Sequence, residues 1–65
     1  MNKTTYFDFD ITYGIKGEEV IHMTIRTAAS LLLAVQRIAA EHDTKPENIE
    51  VYRAISWGYK GAFLP

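Results

Sequence analysis

In residues 6 to 26, YFDFDITYGIKGEEVIHMTIR, apolar side chains fall on alternate positions, and the pattern is broken once, around Gly17. A period of two is the signature of a strand with one face packed away. Two such runs flanking a glycine specify a hairpin. In residues 6 to 13, Phe7, Phe9, Ile11 and Tyr13 share one face, and Tyr6, Asp8, Asp10 and Thr12 the other. In residues 19 to 26, Ile21, Met23 and Ile25 share one face, and Val20, His22, Thr24 and Arg26 the other. Glycine third in Ile15-Lys16-Gly17 suits a three-residue loop closed in the left-handed region. That loop sets Gly14 opposite Glu18. Counting outward, Ile11 faces Ile21, Phe9 faces Met23 and Phe7 faces Ile25. On the other side Asp10 faces His22, Asp8 faces Thr24 and Tyr6 faces Arg26.

Residues 28 to 42, AASLLLAVQRIAAEH, carry helical spacing. Ala28, Leu31, Leu32, Val35, Ile38, Ala39 and His42 form one apolar stripe. Leu33 lies away from it. Thr27 or Ser30 can cap the start, because a hydroxyl accepts from an unpaired amide of the first turn. HDTKPEN ends the helix: Pro46 lacks an amide hydrogen and biases Lys45 toward extended angles. A single turn fits residues 46 to 48.

Residues 49 to 57, IEVYRAISW, form a third strand with Ile49, Val51, Ile55 and Trp57 as core. Arg53 breaks that alternation, which predicts either a bulge near it or a snorkelling side chain at the core edge. Residues 58 to 65 form a loosely packed tail or a short fourth strand. The expected fold class is α+β: a ββαβ chain with a three-stranded antiparallel sheet of order 2-1-3 and one helix on one face. All 65 residues belong to a single small domain.

A chain this short buries only about 60% of its unfolded surface. It contains no cysteine, so neither disulfides nor thiolate metal sites support it. The net charge is -1, which argues against a strongly basic nucleic-acid binder and a strongly acidic nucleic-acid mimic alike. No apolar run approaches the roughly 20 residues of a membrane helix. The expected location is cytoplasmic, with no membrane partner.

Enzymatic chemistry finds little support. Asp10 with His22 is the one acid-imidazole pair the hairpin suggests, and neither a nucleophile nor a pocket accompanies it. Asp8 and Asp10 alone bind hard cations weakly. His22 and His42 belong to different elements without a third ligand, so no metal and no cofactor are expected. The glycine loop joins two strands and opens no helix, unlike a phosphate-binding loop. What stands out is the face opposite the helix. Tyr6, Asp8, Asp10, Arg26, Tyr52 and Arg53, flanked by Trp57 and Tyr59, are residue types that populate interface hot spots. These eight are the expected partner-binding residues.

The layout also resembles a known group. A hairpin runs into a Thr27-Ala28-Ala29-Ser30 helix start. Small residues Ala34, Ala39 and Ala40 follow at helical spacing, then a proline loop, then a last strand with Val51 and Arg53. This is similar to small phage-encoded inhibitor proteins: the coliphage inhibitor of host RNA polymerase, and small anti-CRISPR proteins that clamp a CRISPR effector. Arg53 sits at a matching position. The resemblance implies a non-enzymatic protein-protein interaction module that blocks a larger host protein or complex in the host cytoplasm. Two alternatives accompany it: a nucleic-acid-binding module using the open sheet face, and a homodimeric accessory protein paired through an edge strand.

Overall fold

A computed structural model describes residues 5 to 58. The expected α+β layout is present: strands β1 (Phe7–Ile15), β2 (Ile21–Ala28) and β3 (Ile49–Gly58) with helix α1 (Leu31–Glu41) between the last two. The sheet is antiparallel in the order β2-β1-β3. The tail from residue 59 on, and with it the expected Tyr59 contact, lies outside the described residues.

The core is built where β1 meets α1. Phe9, Ile11, Tyr13 and Ile15 from the central strand are buried with Ala28, Ala34, Ile38, Ala39 and Ile49, and Phe7, Leu31 and Val35 pack at its margin. The alternation in β1 therefore reads as expected. Small residues at 34 and 39 let the helix lie close on the sheet. Leu32, assigned by its spacing to the apolar stripe, is exposed instead, as is Leu33. The stripe is narrower than seven residues: on α1 only Ala34, Ile38 and Ala39 are buried, with Leu31 and Val35 packed at the margin.

Ser30 caps α1: it is extended, and its Oγ accepts from the Leu33 amide at 3.2 Å. Residue 28 belongs to β2, so the helix begins three residues later than its periodicity suggests. The far end closes through paired reverse bonds. The Thr44 amide donates to Ala39 O at 2.9 Å and the Asp43 amide to Ala40 O at 3.1 Å, with Asp43 in the left-handed region. The turn at Pro46–Asn48 is a single 3-10 turn, as expected.

The hairpin corrects the expected register. β1 does not stop at Tyr13 but runs to Ile15, whose side chain is buried and whose ladder partner is Ile49. The Lys16 amide extends this pairing by donating to Asn48 O at 2.8 Å. The turn itself forms: Glu18 N donates to Ile15 O at 2.9 Å, and Gly17 has φ +89°. The chain then travels through residues 18 to 20 before pairing resumes at Gly14↔Ile21. Compared with the three-residue loop, this shift is an odd number of positions. An odd shift moves every side chain of a strand to the opposite face. His22, Thr24, Arg26 and Ala28 thus face the helix, while Ile21, Met23 and Ile25 face away. Met23 is 75% exposed.

A second reversal occurs in β3. The β1–β3 register slips between Thr12 and Tyr13: Tyr13 pairs with Val51 and Thr12 with Arg53, leaving Tyr52 as the extra residue of a bulge. The irregularity signalled by Arg53 is this bulge. Its consequence is that Ile55 and Trp57, expected in the core, stand opposite Asp10 and Asp8 on the face away from the helix. Val51 keeps the helix side but is still 37% exposed.

Candidate interaction surface

Both reversals act on the same face of the sheet. Its centre is polar: Asp8, Asp10, Thr12 and Gly14 on β1. Across the ladder, Asp8 lies between Thr27 and Trp57, Asp10 between Ile25 and Ile55, and Thr12 between Met23 and Arg53. Apolar outer strands therefore flank a carboxylate-bearing central strand. Ile21, Met23, Ile25, Tyr52 and Trp57 are all exposed, Trp57 by half. Isolated apolar residues on a surface are ordinary, but several on one face make that face a candidate interaction surface.

Local structure positions these groups. Asp8 accepts a hydrogen bond from Thr27 Oγ1 at 2.5 Å, across the β1–β2 ladder. Tyr52 lies over Gly14, where a β-carbon would come within 2.6 Å of its hydroxyl oxygen. The missing side chain at position 14 leaves a shelf that the ring fills. The Tyr52 hydroxyl donates to Glu50 Oε1 at 3.2 Å, and this bond to a carboxylate raises its pKa above the usual 10.0. Asp10 and Arg53, by contrast, have no hydrogen-bond or ion-pair partner among the described residues.

Of the eight expected contact residues, Asp8, Asp10, Tyr52, Arg53 and Trp57 share this face, and Tyr6 is exposed immediately before β1. Arg26 does not belong to it. The odd register shift turns Arg26 to the helix side, where Nη2 forms an ion pair with Glu41 and Nη1 donates to Thr24 Oγ1 at 2.5 Å. The same shift separates Asp10 from His22: Asp10 pairs with Ile25, and His22 with Tyr13 on the other face. Alternation alone could not reveal Ile21, Met23 and Ile25 as surface residues. The signal lay in loop length, through the apolar Ile15 placed just before Lys16.

On the helix side, a cluster of rings joins β1, β2 and the end of α1. His22 stacks on Tyr13 with centroids 4.9 Å apart and an interplanar angle of 14°. His42, the helix C-cap, meets His22 edge-on at 4.9 Å and shares a 2.7 Å hydrogen bond with the Tyr13 hydroxyl. Burial raises the Tyr13 pKa; nearby Arg26 opposes the rise and Glu41 adds to it. Tyr13 is only 3% exposed. His22 Nε2 is buried without a hydrogen bond. Among the described residues, no three His, Cys, Asp or Glu side chains converge as metal ligands, and no helix is long and apolar enough to cross a membrane.

No protein-family model, curated protein or solved structure matches this chain. The functional reading therefore rests on the residues themselves.

Proposed function

We propose that the chain is a non-enzymatic interaction module that docks the open face of its sheet onto a larger protein and blocks that protein's working surface. The observation that carries this reading is the pattern on that face: Ile25 and Ile55 on either side of Asp10, with Met23, Tyr52 and Trp57 exposed around them. An apolar face with a few charged groups supplies both the area that drives association and the polar contacts that select a partner. Tyr13 is buried and its hydroxyl is engaged in a hydrogen bond with His42 at the helix C-cap, which favours binding over catalysis.

The layout resemblance suggests the setting: a phage or mobile-element inhibitor acting on RNA polymerase or a CRISPR effector in the host cytoplasm. Nucleic acid suits the face less well. Among the described residues of this face, Asp8, Asp10 and Glu50 set three carboxylates against one cation, Arg53, so phosphate meets net repulsion.

Capture from a bacterial lysate on the immobilised chain tests the reading. A stoichiometric partner is expected, lost on Ile25→Lys and retained on Leu33→Lys, which alters the outer side of the helix. Recovery of no stoichiometric partner, or equal loss with both variants, argues against open-face docking.

A further inference from the structure

The geometry points to a second copy of this chain as the occupant of the open sheet face when no target is bound, in an isologous dimer where Asp10 of each protomer pairs with Arg53 of the other. The inference rests on the open face being the docking surface. Its starting point is charge. Asp10 and Arg53 lie on that face without ion-pair partners among the described residues. Asp10 sits between two isoleucines across the ladder. Covering this apolar row strands the carboxylate unless the covering surface brings a cation, since an unpaired buried charge is strongly unfavourable. The same face carries that cation.

Symmetry makes the match self-complementary. Arg53 stands opposite Thr12, one strand and two residues from Asp10. A two-fold axis between two facing sheets, perpendicular to the Asp10–Arg53 line at its midpoint, sets each Asp10 on the partner's Arg53 and forms the pair twice. With strands about 4.8 Å apart and about 3.4 Å per residue, that axis also runs past Met23 and Ile55, so each packs against its own counterpart. The apolar residues that β2 and β3 present to solvent thus become the centre of the contact, and the two ion pairs set its orientation. A 65-residue chain without cysteine gains through this contact the buried area its single core cannot supply.

Sedimentation equilibrium from micromolar to millimolar protein tests the arrangement with Asp10→Arg, Arg53→Asp, and an equimolar mixture of the two. The wild type is expected to dimerise reversibly. Each single variant turns both pairs into like-charge contacts and should raise the dissociation constant at least tenfold, a change of about 1.4 kcal/mol or more. The mixture should dimerise again, because one protomer then brings cations at both positions and the other brings anions. Arg53 is exposed and Asp10 half-buried, and unchanged circular dichroism confirms that each variant folds.

A wild type that stays monomeric throughout, variants that dimerise as tightly as the wild type, or a mixture no tighter than its components would each overturn the dimer. The second result is the one expected of pairing through an edge strand. Open-face docking is judged separately by the Ile25→Lys capture experiment: a monomeric wild type that still loses its target on Ile25→Lys sinks the dimer and leaves target docking standing.

Discussion

The Tyr13 hydroxyl and His42 Nε2, 29 residues apart in the chain, lie 2.7 Å from each other and tie the central strand to the helix C-cap. Removing the hydroxyl by Tyr13→Phe should cost about 1 kcal/mol, the net worth of one hydrogen bond. Urea denaturation at neutral pH checks this. The variant should also change the alkaline limb of stability. Burial raises the pKa of Tyr13 above 10.0 in the folded chain, so the folded state holds that proton more tightly than the unfolded state. The associated stability is fully present below pH 10.0 and is lost as pH rises through the folded value. Tyr13→Phe should flatten this loss, and a slope unchanged from the wild type would assign the alkaline transition to another group.

Ser30 holds the start of α1 by accepting from the Leu33 amide. The first turn contains no acidic residue to assist it. Ser30→Ala should therefore destabilise the fold by about 1 kcal/mol, and Ser30→Asp should restore most of that, with a gain from the helix dipole. Thermal unfolding of the two variants separates capping from a packing effect, which Asp would not repair.

These two anchors differ in how far sequence reveals them. Ser30 was legible as one of two candidate caps, with Thr27, because capping depends on residues within one turn. The fold class, the strand order and the buried face of β1 were legible for a related reason: Phe7, Phe9, Ile11 and Tyr13 satisfy the period of two with no competing assignment. β2 was not. Ile21, Met23 and Ile25 alternate as regularly as Phe7, Phe9 and Ile11, and periodicity defines two faces without saying which one is inside. That choice depended on whether Ile15 belonged to the turn or to the strand, and pairing with Ile49 decided it. Arg53 marked a bulge, yet the reversal this imposes on Ile55 and Trp57 follows only when the register is carried through it. Of the candidate site, the polar half was visible, and most of the apolar half was hidden by these two parity changes.

The reversal of β2 makes a direct prediction about stability. Ile38 is fully buried under the sheet, and Ile38→Ala should cost about 2–5 kcal/mol through lost burial and the cavity left behind. Ile25 is 60% exposed, and Ile25→Ala should cost no more than about 0.5 kcal/mol in dilute protein. The parity suggested by alternation alone assigns both residues to the core and predicts similar losses. Comparable destabilisation of the two variants would therefore restore the even register and remove the apolar open face.

Gly14 offers a test of how Tyr52 is seated. A β-carbon at position 14 would come 2.6 Å from the Tyr52 hydroxyl oxygen and just over 3 Å from two ring carbons, too close for the ring to stay where it is. The obstacle is the far end of a rotatable side chain, and Gly14 does not have a positive φ, so Gly14→Ala should leave the backbone in place and displace the ring. The cost should be about 1 kcal/mol or less, because alanine also restricts the unfolded chain more than glycine does. Moving the ring breaks its hydrogen bond to Glu50 and removes the cause of its raised pKa. Spectroscopic titration of the tyrosines should then show one phenol shifting down toward 10.0 in Gly14→Ala. Tyr52→Phe supplies the assignment, since the phenol that moves must be the one missing from that variant. A titration identical to the wild type would mean that Tyr52 does not rest on the Gly14 shelf.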